Sequence, residues 1–279
     1  MWLAVAFLFV VCAVAAGVVV QRARATKPKP RPVMLTRADQ GRKILFEDIQ
    51  PVKLSNCQLE RFGEQHDGGY LLCGNLLGGV KAAYSYGISG YDQWGCDVST
   101  RLGVPAHQYD CFNLTRPTCS TGKTVFHPEC IGDSSRVEDG RPFDTLENQV
   151  RKNRDAGKHL VVKMDVEGSE WESFLGASDE ILQRVDQLVV EFHGFDEDRY
   201  ILAIAKLKGL FHIANLHWNN FACNGGTPPF PSWAYEILFV NKRLGVVAPG
   251  QRPLLPHPLD RPNTLTWTDC QVPTVNSER

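Results

Sequence analysis

The segment HLVVKMDVEGSEWESF, residues 159–174, joins an apolar run to a group of acidic residues. Valine, leucine and methionine give its first half the character of a buried strand, which a single lysine interrupts. Asp165 and Glu167 follow at once, and the chain then passes through a glycine into a segment with helical character. A buried strand that ends in carboxylates before a helix is typical of a parallel α/β sheet, in which ligands bind beyond the carboxyl ends of the strands.

Seven segments with strand character alternate with helical segments along the chain. The predicted strands are 81–88, 106–110, 124–131, 159–165, 187–193, 211–217 and 234–242, and the predicted helices are 91–103, 143–157, 169–183 and 196–209. Short apolar strands that alternate with helices indicate a parallel sheet covered on both faces. Only a loop precedes the last strand, so we expect that strand to insert antiparallel. The predicted fold class is α/β.

The composition is that of a folded protein with a basic N-terminal segment. The chain has 279 residues, of which 43% are hydrophobic and 22% charged, and this suits one large α/β domain. Eight of the 30 Lys and Arg residues, but only one of the 31 Asp and Glu residues, fall within 21–43, which leaves 22 basic against 30 acidic residues elsewhere. An acidic domain lacks the basic face that phosphate groups require, so we expect no nucleic-acid partner.

The N-terminus predicts a membrane anchor. Residues 2–20 contain no charged side chain, and at about 1.5 Å per residue they span close to the hydrocarbon thickness of a bilayer. A cleaved signal peptide with Ala13-Val14-Ala15 as its cleavage site is the alternative, but a basic n-region is missing and the apolar run continues past that site. We therefore predict an anchor over 1–20, a basic, proline-rich stalk over 21–43 and an α/β domain over 44–279.

Two sets of residues disagree about the side of the membrane. The basic residues after the apolar run favour a cytoplasmic domain by the positive-inside rule. The sequon Asn113-Leu114-Thr115 and eight scattered cysteines beyond the anchor favour disulfides in an oxidising lumen, with buried thiols and a chance sequon as the alternative. No C-x-x-C pair indicates zinc. We expect a single-pass membrane protein with a lumenal domain.

Polar residues gather where the predicted strands end, whereas the strand interiors are apolar. These residues are Gly87 to Gly90, Asp110, Asp165 with Glu167, Glu191 with His193, and His217 with Asn219 and Asn220. Because the carboxyl ends of parallel strands meet at one edge of the sheet, the pattern predicts a ligand site at that edge.

The segment 159–174, preceded by DTLEN and followed by VVEFHG, resembles the FkbM-type S-adenosylmethionine-dependent methyltransferases. Their hallmark is a similar strand that ends in an aspartate and continues into E-G-x-E. The segments HDGGYLLCG (66–74), AYSYGISG (83–90) and WAYEILFVNK (233–242) are similar to the eukaryotic membrane-anchored methyltransferase-like proteins. The resemblance covers roughly residues 57–242. It implies a Rossmann-like methyltransferase fold with a mostly parallel seven-stranded sheet and one antiparallel strand.

The resemblance also implies that S-adenosylmethionine lies across the ends of the first strands. The residues implied to bind it are Gly87, Ser89, Gly90, Asp110, Ile131, Asp133 and Asp165. The first three would form a turn that lets the backbone approach the methionine part, although YGISG departs from the usual three-glycine pattern. Asp110 would accept hydrogen bonds from the ribose, and Asp133 from the adenine amine. An ordinary turn and solvated loop aspartates are the alternative interpretations.

The implied catalytic residues are Asp165, Glu191 and His193. Asp165 would orient an acceptor hydroxyl or draw its proton, and the alternative is an N-cap for the next helix. Glu191 and His193 lie two residues apart on a strand and share a face, so with Asp165 they offer carboxylate and imidazole groups together. The sequence contains no ligand spacing that identifies a metal site, so a divalent ion is possible but no metal ligand is predicted. Glu170 is expected to face solvent or to support the helix start.

The predicted function is transfer of a methyl group from S-adenosylmethionine to an oxygen of a sugar, a glycan or another small polar acceptor. A Golgi-type glycosyltransferase is the first alternative, because an anchor, a stalk and a lumenal α/β domain are its usual layout. Asp165-Val166-Glu167 also resembles the D-x-D motif of those enzymes. A catalytically inactive relative that binds partners is the second alternative.

Overall fold

A computed structural model describes residues 35–270, and these belong to one α/β unit. The predicted anchor and most of the predicted stalk lie outside the described residues. Between residues 35 and 270, no helix is long and apolar enough to cross a bilayer.

Helices and strands alternate through most of the described chain. The helices are α1 (Arg37–Asp48), α2 (Gln93–Leu102), α3 (Leu146–Lys152), α4 (Glu170–Gly176), α5 (Asp179–Arg184) and α6 (Asp198–Leu210). The strands are β1 (Leu59–Gly63), β2 (Gly69–Cys73), β3 (Ala82–Tyr86), β4 (Pro105–Tyr109), β5 (Lys123–His127), β6 (Cys130–Ile131), β7 (Arg136–Glu138), β8 (Arg141–Asp144), β9 (Leu160–Met164), β10 (Val185–His193), β11 (Phe211–Trp218) and β12 (Ala234–Asn241).

Seven strands form the central sheet in the order β11-β12-β10-β9-β3-β4-β5. Strand β12 pairs antiparallel with β10 and β11, and all other neighbours are parallel. This confirms the predicted α/β class, the mostly parallel seven-stranded sheet and the antiparallel last strand. The chain adds β4 and β5 on one side of β3 and then β9 on its other side. The strand order therefore reverses between β3 and β9, which makes that point the expected place for a ligand.

Both faces of the sheet are covered, so the central strands are buried throughout. Successive side chains of a strand point to opposite faces. Accordingly, Val162 and Met164 pack into one core, beneath helices α1, α3, α4, α5 and α6, and Val161 packs into the other. The second core lies beneath α2 and the β1–β2 hairpin. Burial on both faces is the physical cause of the mostly apolar runs in the predicted strands.

Three element boundaries differ from the prediction because short-range capping and pairing intervene. The predicted strand 124–131 divides at Pro128 into β5 and β6, and β6 joins β7 and β8 in a small separate sheet. The predicted helix 143–157 shortens to α3, since residues 141–144 pair within that small sheet. The predicted helix 169–183 is two helices, because Ser178 caps α5 with its side chain.

The folded unit begins earlier than the predicted boundary at Ile44. Helix α1 starts at Arg37, where Thr36 and Asp39 form a capping box, and it buries Leu45 and Phe46. The density of basic residues predicted a stalk up to residue 43, but residues 37–43 belong to helix α1. This helix makes about three turns and buries Leu45 and Phe46 in the core.

Four disulfides join all eight cysteines of the described chain. They pair Cys57 with Cys73, Cys96 with Cys119, Cys111 with Cys130, and Cys223 with Cys270. This confirms the expectation of disulfides. Because disulfides form and persist in oxidising compartments, they indicate a domain of the secretory pathway.

Candidate functional site

A cavity of about 580 Å³ opens where the strand order reverses, at the carboxyl ends of β3, β4 and β9. Five carboxylates line it, and none of its described lining residues is a lysine, an arginine or a histidine. The acidic residues are Asp67, Asp110, Glu129, Asp165 and Glu167. The walls also contain apolar groups, among them Phe112, Ile131 and Phe143. The cavity therefore offers an acidic surface next to an apolar one.

The turn after β3 brings its backbone close to the end of β9. Gly87 has φ +70, and a Cβ on it would lie 1.5 Å from the carbonyl oxygen of Asp165, so only glycine fits. Ser89 also adopts a positive φ, and Gly90 packs closely against Asn113. Gly87 and Ser89 line the cavity, whereas Gly90 lies outside its lining.

Asp110 organises the loop after β4 as well as lining the cavity. Its Oδ2 accepts a hydrogen bond from the backbone N–H of Ser89 at 2.6 Å, and its Oδ1 accepts from the N–H groups of Phe112 and Asn113. The same carboxylate thus fixes two loops of the cavity wall. The sequence predicted Asp110 at the end of the strand but not its hydrogen bonds to the two loops.

The two residues expected to hold an adenine are placed differently. Ile131 is buried and lines the cavity, as expected. Asp133 lies outside the lining, and its Oδ1 accepts hydrogen bonds from Arg136 at 2.9 Å and from Ser134 at 2.8 Å. The guanidinium of Arg136 holds this half-exposed carboxylate at the surface, and a role of Asp133 at the adenine stays a prediction.

Asp165 ends β9 and borders the cavity without capping a helix. Its Oδ2 accepts hydrogen bonds from the Tyr70 hydroxyl at 3.2 Å and from Lys163 Nζ at 3.3 Å. Helix α4 begins five residues later, and its N-cap residue is Ser169. The N-cap alternative is thereby excluded for Asp165. Tyr70 and Lys163 were not identified from the sequence, although Lys163 interrupts the apolar run of the opening segment.

Glu170 is buried, so of the two expectations for it the one that it faces solvent is wrong, and its hydrogen bonds fit the other, that it supports the start of α4. Its side chain is 0% exposed, and its two oxygens accept hydrogen bonds from the N–H groups of Val166 and Gly168 at 2.8 and 2.9 Å. The carboxylate thereby closes the loop that carries Asp165 and Glu167. Its spacing in the E-G-x-E segment is the sequence signal that pointed to it.

Glu170 also holds His193, whose ring lies among carboxylates. Nδ1 of His193 is 3.1 Å from Oε1 of Glu170. Nε2 lies 3.5 Å from Glu167, 3.8 Å from Glu191 and 4.0 Å from Asp165. Burial lowers the pKa of His193, but the bond to Glu170 and the surrounding carboxylates outweigh it and raise that pKa above its ordinary value.

Glu191 lies beside His193, as their spacing on one strand predicted. Its side chain is buried, and its Oε1 accepts a hydrogen bond from Asn219 at 2.5 Å. Burial first, and then the nearby charge of Asp165, raise the pKa of Glu191 well above its usual range. The structure therefore brings the three predicted catalytic residues together. Of the three, only Asp165 lines the cavity, and Glu191 and His193 lie behind it.

The remaining polar residues at the strand ends hold the C-terminal segment. Nδ1 of His217 is 3.1 Å from Glu236, and Glu236 in turn accepts a hydrogen bond from Asn263 at 2.8 Å. Asn220 donates to the carbonyl groups of Thr264 and Trp267. The segment after β12 is therefore fixed beside the site by buried amides. The sequence of this segment has no clear periodicity, so its attachment beside the site could not be predicted.

Asp165, Glu170 and His193 bring three potential metal-ligand atoms together. Each offers one ligand atom, and these three atoms lie within 4.8 Å of one another. Carboxylate oxygen and imidazole nitrogen together suit several divalent metals.

Comparisons with known proteins add no assignment to this geometry: no protein-family model, no curated protein and no solved structure matches the chain. The resemblance to the FkbM-type methyltransferases stays a prediction from the quoted residues.

Proposed function

We propose that the protein is an S-adenosylmethionine-dependent methyltransferase that acts on an oxygen of a sugar, a glycan or another small polar acceptor. The observation that carries the proposal is the charge of the cavity at the point where the strand order reverses. Five acidic residues and no basic residue line its described walls. The seven-stranded sheet with one antiparallel strand, as the resemblance implies, gives further support.

The charge of the cavity suits this cofactor better than a nucleotide. S-adenosylmethionine carries a sulfonium and an ammonium group against a single carboxylate, so it is a net cation that acidic walls attract. A dinucleotide or a nucleotide sugar brings a diphosphate, for which proteins usually supply basic side chains or a helix N-terminus. The volume of about 580 Å³ lies in the range of small-molecule and cofactor sites.

Residues of this chain are available for each part of the cofactor. The close turn at Gly87 and Ser89 suits the methionine part, and we assign the ribose to Asp110, which lines the cavity. Ile131 and Phe143 offer an apolar contact for the adenine ring. The hydroxyl of Tyr86, another lining residue, is buried without a hydrogen-bond partner in the described chain, and a bound ligand can satisfy it.

Asp165 is the residue that we assign to the acceptor. It borders the cavity at the end of the central strand, where a carboxylate can orient a hydroxyl and draw its proton as the methyl group is transferred. Catalysis in such a displacement comes mainly from the alignment of acceptor oxygen, methyl carbon and sulfur. Glu191 and His193 complete the proposed catalytic group behind Asp165.

A calorimetric titration of the full-length chain in detergent with S-adenosylmethionine and S-adenosylhomocysteine tests the proposal. We expect saturable binding of both. The glycosyltransferase alternative predicts the reverse, namely binding of UDP or GDP with Mn²⁺ and no response to S-adenosylhomocysteine. That result, or no saturable heat with either cofactor form, would refute the methyltransferase.

A further inference from the structure

We propose that Asp165, Glu167, Glu191 and His193 bind one divalent cation at the edge of the cavity, where it would hold the acceptor oxygen. The part that concerns the acceptor rests on the proposed methyl transfer. The cation site itself rests on geometry alone, and two of its residues, Asp165 and Glu167, line the cavity.

Nε2 of His193 is the ligand atom that lies nearest to all three carboxylates of the proposed site. Carboxylate oxygens of Glu167, Glu191 and Asp165 lie 3.5, 3.8 and 4.0 Å from it. Two ligands bound about 2.1 Å from one ion lie about 3.0 Å apart at a right angle and about 3.4 Å apart at a tetrahedral angle. The observed distances exceed these values by about 0.1–1 Å, which side-chain adjustments can close.

His193 is held as a metal-binding histidine commonly is. Its side chain is 5% exposed, and Nε2 has no hydrogen-bond partner among residues 35–270 although it points at three carboxylates. Nδ1 is held by Glu170 at 3.1 Å. Histidines that ligate metals usually donate their other ring N–H to a carboxylate, which fixes the tautomer and leaves the ligating nitrogen free.

Glu170 is the positioning residue rather than a ligand. Both of its oxygens already accept hydrogen bonds from backbone N–H groups, of Val166 and Gly168, and Oε1 also meets His193. The loop of the E-G-x-E segment thus aims Glu167 and Asp165 while the same carboxylate orients the imidazole. This explains a completely buried acid at that place.

The charge balance also favours a cation. Lys163 is the cation hydrogen-bonded to this group, and it meets Asp165 alone while donating also to the carbonyl oxygens of Tyr86 and Gly87. Three neighbouring carboxylates repel one another, and a bound divalent cation relieves that repulsion. Oxygen ligands with a single imidazole suit Mn²⁺ and related divalent ions. Bound there, the ion would coordinate an acceptor hydroxyl and ease the loss of its proton.

Titration of the metal-free, full-length chain with Mn²⁺ tests the site, followed by calorimetry and by the electron paramagnetic resonance of the free ion. We expect one ion bound per chain. Glu191→Gln and His193→Gln should each weaken binding at least tenfold. Glu180→Gln, at an exposed position of α5, is the control and should leave the affinity unchanged.

The positioning role of Glu170 is tested separately, by the Mn²⁺ affinity of two variants at this residue. Glu170→Gln should weaken Mn²⁺ binding about tenfold to a hundredfold, as loss of an outer-shell partner does, although it removes no ligand. Glu170→Asp, which restores a carboxylate, should recover part of the affinity. Circular dichroism and urea unfolding of each variant verify that it is folded.

The two proposals fail separately. Saturable binding of S-adenosylhomocysteine without Mn²⁺ binding would overturn the cation site and leave the methyltransferase. Mn²⁺ binding without S-adenosylhomocysteine binding would overturn the methyltransferase and leave the cation site. Unchanged Mn²⁺ affinity in folded Glu191→Gln and His193→Gln variants would also overturn the cation site.

Discussion

At the scale of single residues, two acids five positions apart do different work. Asp165 borders the cavity. Among residues 35–270 its side chain accepts hydrogen bonds only from Tyr70 and Lys163, and it caps none of the helices. Glu170 is completely buried and closes the loop between them. The sequence predicted the position of Asp165, since an acid at the end of an apolar strand is a local pattern. It could not reveal the burial of Glu170, which depends on β10 supplying His193 from the neighbouring strand.

The substitution Asp165→Asn separates charge from shape. We expect the free energy of unfolding to fall by only about 1–2 kcal/mol, because the amide oxygen can still accept one hydrogen bond. Methyl transfer should fall about a hundredfold or more, since the group that draws the acceptor proton is lost. Transfer of labelled methyl groups from S-adenosylmethionine to cell-extract fractions measures the activity, and urea unfolding measures the stability.

Two variants frame that experiment. Asp198→Asn changes an exposed acid paired with Arg37 and should affect neither quantity. Val162→Asp puts an unpaired charge into the core and should unfold the domain. Full activity in a folded Asp165→Asn variant would mean that the carboxylate is structural.

At the scale of elements, the central strands were predictable and the small ones were not. Strands β3, β9 and β10 are buried on both faces, so their apolar runs stand out in the sequence. The β1–β2 hairpin and the sheet of β6, β7 and β8 are local pairings of strands of two to five residues. Strands β1, β7 and β8 are partly exposed, so no long apolar run marks these small sheets in the sequence. Both contribute to the cavity wall, through Asp67 and Phe143. The position of the site was therefore predictable from the strand ends, whereas the contribution of Phe143 gave no signal in the sequence.

The neighbouring strands β4 and β5 carry a pair of histidines that should make stability depend on pH. Nδ1 of His107 lies 3.0 Å from Nε2 of His127, and Nε2 of His107 lies 3.2 Å from Asp155. Burial lowers the pKa of His127 to about 4, helped by His107 and Lys152 and opposed by Glu129, and burial also lowers the pKa of His107.

The sign of the effect follows from proton binding. Between the ordinary histidine pKa of about 6.5 and the folded value of about 4, the unfolded chain holds more protons than the folded one, so the unfolding free energy falls as the pH falls. His127→Gln should flatten this dependence. Urea unfolding at pH 7, 5.5 and 4.5 measures it, and identical pH profiles for wild type and variant would contradict the assignment.

At the scale of the whole molecule, two of the disulfides hold segments that form or adjoin the site. Cys111–Cys130 closes the cavity wall between the loop after β4 and strand β6, and Cys223–Cys270 ties down the segment that Asn220 holds beside the site. A reducing compartment would release both constraints. The fold thus favours the lumenal side, whereas the basic residues after the predicted anchor favour the cytoplasmic side. Those basic residues would set the orientation of the predicted anchor, which lies outside the described part of the chain.

Glycosylation of an introduced sequon separates these two topologies, since the native sequon is a poor reporter. Asn113 is half-buried and lines the cavity, and its Nδ2 donates a hydrogen bond to the carbonyl oxygen of Ser89 at 2.7 Å, so a glycan there would crowd the site. Lys53 is exposed and precedes Leu54 and Ser55, so Lys53→Asn creates a sequon at the surface. For a lumenal domain we expect an endoglycosidase-sensitive mass increase in the Lys53→Asn variant and none in the wild type. A variant that stays unglycosylated while a secreted control in the same cells is modified would place the domain in the cytoplasm. A wild-type shift that Asn113→Gln abolishes would instead show that Asn113 is glycosylated before the loop closes.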